Sequence, residues 1–348
     1  MKTPEPVTTI VIVGSGPAGT AAAIQCAGQG FSVTMLEKSP HTVFHPGETL
    51  PPGVEILFQQ LGIADEVNAC DFIRHEGSRV KWDTETTLFS AFGRDPVNGN
   101  WKGYQIPRER LNAILHARAK AMGVKIVKGT RAVSPLYMGG NIVGVMTREG
   151  EIPAEFIIDA SGRHGWLSRM PGFIKKPSSP RLIARYGYAA GSDTGRDNAP
   201  HFTAERCGWS WVAKISDGLY AWTQLSFYHP REIPGSPPSL VGMEPFGPTG
   251  SADVSWRITT PLCGERYYII GDAASIVDPA GSKGVLKALM SGMMAASSIA
   301  AEIHNPGEEL RIRRGYTDWV EQWFNQDVIA LREFYRCHPC PPVWLDGC

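Results

Sequence analysis

The feature that most constrains this chain is a short apolar run, Thr9-Ile-Val-Ile-Val13, followed at once by Gly14-Ser15-Gly16-Pro17-Ala18-Gly19 and an alanine-rich stretch. The run is too apolar for a strand with one wet face, which predicts a buried parallel strand. The glycines fit G-x-G-x-x-G, and residues 18–28 are compatible with a helix. Residues 31–36 read as a second strand closed by Glu37, 18 positions beyond Gly19. In this context the first glycine makes a tight turn, the second lets backbone approach a pyrophosphate, and the third admits close helix packing. The helix N-terminus offers N–H groups and partial positive charge to phosphates. Glu37 is placed to accept hydrogen bonds from ribose hydroxyls. The expectation is a βαβ unit that binds a dinucleotide.

Composition removes several other classes. At 348 residues the length suggests about two domains. With 43% apolar and 20% charged residues it reads as a soluble globular chain. Lys+Arg and Asp+Glu are both 34, so no basic excess supports a nucleic-acid partner. The longest apolar stretches, 7–27 and 285–303, are interrupted by glycines and proline or by Lys287, so neither reads as a membrane span. No signal peptide is recognised, and the expected location is cytoplasmic. Seven scattered cysteines argue against a secreted disulfide scaffold. Cys337-His338-Pro339-Cys340 has dithiol spacing, and Cys348 stands as a third ligand or resolving thiol. No redox-type βαβ unit precedes it and no second ligand pair follows, so the expectation is a structural or incidental pair and no metal.

Helical spacing recurs at 53–61, 108–122 and 284–303, and a terminal amphipathic helix is expected over 308–335. Strands are expected at 125–127, 142–147, 156–158 and 267–270. Residues 77–101 and 182–228 differ, with short alternating runs rich in Trp, Tyr and Phe. The Pro-, Gly- and Ser-dense stretch 230–248 reads as a loop.

Ile269-Ile270-Gly271-Asp272-Ala273-Ala274 puts a strand and a Gly-Asp turn ahead of a helix. A carboxylate there can hold the ribityl hydroxyls of a flavin. Pro279, Gly281 and Gly284 then lead into a helix near Val285. Its N-terminus, aimed at the flavin pyrimidine edge, would stabilise the negative charge of reduced flavin. Arg108 begins its own helix, placed for a phosphate or ribityl contact.

Together with Gly47-Glu48-Thr49-Leu50-Pro51-Pro52, Asp159-Ala160-Ser161-Gly162 and Asp278-Pro279, these elements resemble the FAD-dependent oxidoreductases of the aromatic-hydroxylase and tryptophan-halogenase superfamily, over nearly the whole chain. The resemblance implies an α/β fold, with a Rossmann-type, three-layer ββα FAD-binding domain interrupted by a β-rich substrate domain. The expected FAD-binding domain is 1–75, 103–178 and 262–305. The substrate domain is 76–102 and 179–261, and 306–348 is a C-terminal helix and cysteine-containing tail. The expected cofactor contacts are Gly14, Ser15, Gly16, Pro17, Ala18, Gly19, Glu37, Lys38, Gly47, Glu48, Thr49, Arg108, Ala132, Gly271, Asp272, Pro279, Gly284 and Val285. Within the superfamily, 271–290 and 47–63 are most similar to the flavoprotein monooxygenases that mature cysteine tryptophylquinone enzymes. That similarity implies oxygenation of a peptide- or protein-bound tryptophan. Members often carry His where Lys283 stands.

Superfamily halogenases use a lysine on the helix after the flavin-covering loop. Aligned on Leu61-Gly62-Ile63 it falls at Glu55, and no lysine occurs between Ser39 and Val80. Their Trp-x-Trp-x-Ile-Pro motif is matched only in its first half, by Trp209-Ser210-Trp211. Both departures point away from halogenation. Trp209 and Trp211 face one way on a strand, as an aromatic wall near the flavin or as ordinary core. His45 and Glu48 lie on the covering loop, as general bases or as partners in the loop's own bonding. Lys283 reads as a cation beside the flavin or a solvated lysine. No second G-x-G-x-x-G unit is present, so electrons are expected from transiently docked NAD(P)H or a separate flavin reductase. The other readings are a halogenase, a flavin reductase of isoprenoid double bonds, and a non-catalytic maturation factor holding FAD.

Overall fold

A computed structural model describes residues 9–41, 46–82, 86–97, 99–192, 195–228 and 236–346. The first strand, Thr9–Val13, pairs in parallel with Ser32–Glu37 on one side and Phe156–Asp159 on the other. Lys125–Lys128 extends the sheet past the second strand, and Tyr267–Ile269 with Cys263–Gly264 extends it on the opposite side. Only the last of these pairings is antiparallel. Ile10, Val11 and Ile12 are at most 2% exposed. Burial on both faces is why the strand reads as an unbroken apolar run.

The helices Pro17–Gly28, Arg108–Ala121 and Gly284–His304 share one core with this sheet. A Cβ at Gly292 would lie 2.3 Å from the Ala18 carbonyl oxygen, so the first and third of these helices meet backbone to backbone. A second layer is the antiparallel sheet Ala132–Met138, Asn141–Thr147 and Glu151–Pro153, whose Ile142 and Val145 enter the same core. The three-layer α/β architecture agrees with the expected fold. Gly284–His304 is long and apolar enough to cross a membrane. Here it is a core helix, with Leu289, Ala295, Ala296 and Ile299 fully buried.

A seven-stranded sheet draws on two stretches of chain: Gly77–Lys81 and Leu88–Ala91 from one, and Ile183–Ala190, His201–Glu205, Gly208–Ser216, Leu219–Ser226 and Glu244–Asp253 from the other. The last strand corrects the loop expected over 230–248. It begins at Glu244 and pairs antiparallel with Ile183–Ala190. Pro245 and Pro248 are tolerated because this is an edge strand, where a missing N–H breaks few ladder bonds.

The terminal helix, Glu309–Arg336, joins the two sheets. Near its start the Tyr316 hydroxyl donates to the Ile269 carbonyl at 2.7 Å. Near its end Leu331 and Tyr335 join a core with Phe202, Trp209 and Trp256. The tail then docks through His338, 3% exposed, between the rings of Trp82 and Phe227. Its Nε2–H donates to the Gly208 carbonyl at 2.7 Å, and Nδ1 accepts the Cys340 N–H at 3.0 Å. The Cys-His-Pro-Cys stretch thus buries its imidazole and leaves Cys337 and Cys340 as exposed free thiols. Cys348 lies outside the described residues.

Candidate functional site

A cavity of about 1000 Å³ opens where the parallel strands end, bordered by Val13, Leu36, Ala160 and Ile270. Ligands of open α/β sheets bind at this edge. The three motif glycines have separable causes. Gly14 has φ +110°, and a Cβ there would lie 2.3 Å from the Ala160 carbonyl oxygen. A Cβ at Gly19 would lie 2.1 Å from the Gly14 carbonyl oxygen. A Cβ at Gly16 would meet nothing within 4 Å. The protein itself demands the first and third glycines, whereas the second faces open cavity, as close approach of a ligand requires.

Glu37 stands at the mouth of this turn. It accepts from the Ser15 hydroxyl at 2.8 Å, the Ser15 N–H at 3.2 Å and the Ser39 N–H at 2.9 Å. Lys38 and Ala132 line the cavity beside it. Of the expected cofactor contacts, Gly19 alone is absent from the lining, because it packs against Gly14.

Deeper in, Arg108 lies within the fields of Asp272 and Glu48. Burial works against its charge, and the two carboxylates restore it. Arginine stays protonated in proteins, so the group is a buried cation within the fields of two carboxyl groups. Asp272 is open to the cavity but enclosed by protein elsewhere. Enclosure raises its pKa, opposed by Arg108, Arg163, Lys287 and Arg257. Glu48 is 6% exposed and also pushed up by burial. One of its oxygens accepts the Tyr188 hydroxyl at 2.8 Å and the other the Gly47 N–H at 2.8 Å. Of its two readings, the geometry favours a part in the covering segment's own bonding. His45 lies outside the described residues.

The cavity continues along the seven-stranded sheet, past Ala184, Tyr186, Trp211, Ala213, Ala221 and Thr223. Trp211 and Trp209 share a face, as the period-two spacing predicts, with Phe202 packed against both rings. Their roles diverge. Trp209 is fully buried and donates its Nε1–H to the Tyr335 hydroxyl at 2.8 Å, which makes it a core residue at the cavity floor. Half-buried Trp211 donates to the Thr49 hydroxyl at 3.3 Å, and Thr49 donates to Gln105 at 2.8 Å. Lys283 is neither simply solvated nor aimed freely inward: it pairs at 3.1 Å with Asp327 of the terminal helix. Pro279, Gly284 and Val285 line the wall beside it. Glu55 is paired with Arg74 and does not line the cavity.

Sequence reasoning missed the buried Asp278 junction. Asp278, 2% exposed, accepts Trp256 Nε1–H and Tyr335 O–H at 2.7 Å each, and the Ala280 N–H at 3.0 Å. It also missed the Tyr188–Glu48 and Asp327–Lys283 contacts. These pairs are 57, 140 and 44 positions apart, beyond the reach of any local pattern.

A glycine turn open to the cavity, a carboxylate at its mouth and Arg108 within the fields of Asp272 and Glu48 fit an FAD. They define a flavoprotein of the oxidoreductase type. Residues 7–179 match the FAD binding domain family model. The chain is 26% identical to a flavin-dependent halogenase of Armillaria mellea, armH4, over 95% of its own length and 72% of the relative's. It is 29% identical to a tryptophan 2-halogenase of Chondromyces crocatus, over 94% and 68%. Among solved structures it is similar to the flavin-dependent halogenase CmlS, with TM-score 0.87, 22% identity and coverage of 98% of this chain and 67% of that one. It is also similar to the peptidyl tryptophan dihydroxylase QhpG, with TM-score 0.73, 19% identity and coverage of 96% and 76%. Residues 7–179 thus carry an FAD binding domain, the chain is similar over nearly its whole length to flavin-dependent halogenases, and it is an enzyme of the FAD-dependent oxidoreductase type.

Asp272→Ala is expected to weaken FAD binding by about 10- to 100-fold, the loss of a charge-assisted hydrogen bond worth about 1.5–3 kcal/mol. Titration of the apoprotein with FAD, followed by flavin fluorescence, checks this. Affinity equal to wild type would remove Asp272 from the site.

Proposed function

We propose that this protein is an FAD-dependent monooxygenase that hydroxylates an electron-rich aromatic ring, with tryptophan carried on a peptide or protein as its substrate. The observation that carries the reading is the continuity of the cavity from the glycine cradle to the wall formed by Tyr186, Trp211, Ala213 and Ala221. A ring seated there shares one enclosed space with the cofactor. The likeness to a peptidyl tryptophan dihydroxylase supports the same substrate class.

Bound FAD, reduced by NAD(P)H or by a partner reductase, would supply the oxygen chemistry. In this reading Gly14–Gly19 and Glu37 hold the adenosine diphosphate portion, and Arg108 and Asp272 the chain beyond it. Glu48 and Thr49, tied to Tyr188 and Trp211, fix the segment that covers the ring system. Apolar side chains exclude water, and Trp211 adds roughly 0.5–1.5 kcal/mol as a stacking partner. That is too little to select a free amino acid tightly, so further affinity comes from the partner chain. In this reading segments 1–75, 103–178 and 262–305 serve the cofactor and 76–102 and 179–261 the substrate, with 306–348 the C-terminal helix and cysteine-containing tail. The enzyme would act in the cytoplasm.

A flavin-dependent halogenase is the second reading, supported by the names of the relatives. Against it stand Glu55 at the lysine position and the truncated Trp-x-Trp motif. Oxygen uptake tests the substrate class. It should be coupled to hydroxylation when tryptophan is presented on a peptide, and diverted to hydrogen peroxide with the free amino acid. Equal, well-coupled turnover of both would overturn the peptide reading.

A further inference from the structure

The first turn of the Gly284–His304 helix brings two lysines to the cavity wall. Lys283 Nζ lies 3.1 Å from one oxygen of Asp327, and Lys287 Nζ lies 2.9 Å from the other. All three residues line the cavity. Asp327 is 4% exposed and comes from the terminal helix, a different element from the lysines it joins. The charge of Lys287 reaches the cofactor side, because its field acts on the Asp272 carboxylate, and Lys283 lines the same cavity. Two cations lining the cavity with one shared anion leave a net positive charge at this wall, and its size depends on Asp327.

We infer that Asp327 is a positioning residue that sets the reduction potential of the bound flavin, by partly neutralising Lys283 and Lys287 from the terminal helix. The inference rests on FAD binding in this cavity, but not on the identity of the substrate. Reduction adds negative charge to the cofactor, and cations nearby favour the reduced state. Removing Asp327 leaves both lysines unopposed and should move the potential upward. Removing Lys283 subtracts one cation and should move it downward. The two changes have opposite signs although both break the same ion pair. A merely structural contact would give no such opposition.

The test is reductive titration of the FAD-loaded protein against a redox dye of known potential, for wild type, Asp327→Asn and Lys283→Met. Each single charge, acting through an effective dielectric of about 20, should change the ratio of reduced to oxidised FAD affinity on the order of tenfold. Asp327→Asn should favour the reduced form and Lys283→Met the oxidised form. Lys283 has 41% of its side chain exposed, so its replacement keeps the test available if Asp327→Asn does not fold. Potentials unchanged in both variants, displaced in the same direction, or unmoved by Lys283→Met alone would overturn the inference. Failure of the proteins to take up FAD would instead count against the assignment of the cavity.

Discussion

Gly16→Val is expected to leave the apoprotein as stable as wild type and to lose FAD binding by 100-fold or more, whereas Gly14→Ala is expected to damage the fold itself. The contrast follows from what each missing Cβ would meet. At Gly14 it would collide with the Ala160 backbone at 2.3 Å, in a residue held at φ +110°. Left-handed strain alone costs about 1–3 kcal/mol, and here neither backbone segment can give way. At Gly16 the backbone is extended, with φ −71° and ψ −177°, and a Cβ would meet nothing within 4 Å at a residue that lines the cavity. Valine there obstructs the ligand, and its Cβ meets no protein atom within 4 Å. Urea denaturation of the apoproteins and FAD titration separate the two effects. A Gly16→Val protein that binds FAD normally would move the dinucleotide elsewhere in the cavity.

Asp278→Ala should be among the most destabilising substitutions in the molecule. Its carboxylate joins the loop before Pro279 to Trp256 and to Tyr335 of the terminal helix, and Tyr335 in turn accepts from Trp209. Alanine leaves two buried donors without an acceptor, at about 1–3 kcal/mol each. The loss read by denaturant should exceed about 3 kcal/mol. The group also predicts a pH dependence. Burial pushes its pKa from 3.8 up to about 6. A carboxyl whose folded pKa lies above its unfolded value binds its proton more tightly when folded. Its contribution to stability therefore declines as pH rises from about 4 through 6, and is flat above. Asp278→Asn, neutral throughout, should gain on wild type across that window. A difference that stays constant with pH would mean that the three hydrogen bonds offset the cost of burying the charge.

The βαβ unit was legible because its causes are local. Buried strand, glycine turn, helix and terminal carboxylate follow one another within Thr9–Glu37, and each residue type is required by its immediate neighbours. The Gly-Asp turn at Gly271-Asp272 was legible for the same reason, and every expected cofactor contact except Gly19 borders the cavity. The edge strand Glu244–Asp253 was not, because its prolines and glycines carry a loop signature that only pairing with Ile183–Ala190 overrides. The paired tryptophans could not be told apart from spacing alone. Trp209 became core because Tyr335, 126 positions away, presents a hydroxyl to its indole, and Trp211 met Thr49 across 162 positions. Long-range partners of this kind also decided Lys283, whose sequence surroundings contain nothing that anticipates Asp327.

The terminal helix gives the site a shape that no single motif carries. Its cavity face runs from Trp319 and Trp323 through Asp327 to Phe334, spacings that keep these side chains on one stripe. Tyr335 and Asp327 fasten that stripe to the two ends of the Asp278–Lys287 segment. This segment of the cavity wall is thus held from the far end of the chain.

The central claim, oxygen insertion into a peptide-borne aromatic ring, is tested most directly by mass spectrometry. A tryptophan-containing peptide would be incubated with the FAD-loaded protein, a reductant and ¹⁸O₂, with bromide present throughout. The account predicts a peptide heavier by one or two ¹⁸O atoms on the tryptophan and without bromine. A bromine isotope pattern on the indole, with no labelled oxygen, would contradict it and establish the halogenase reading.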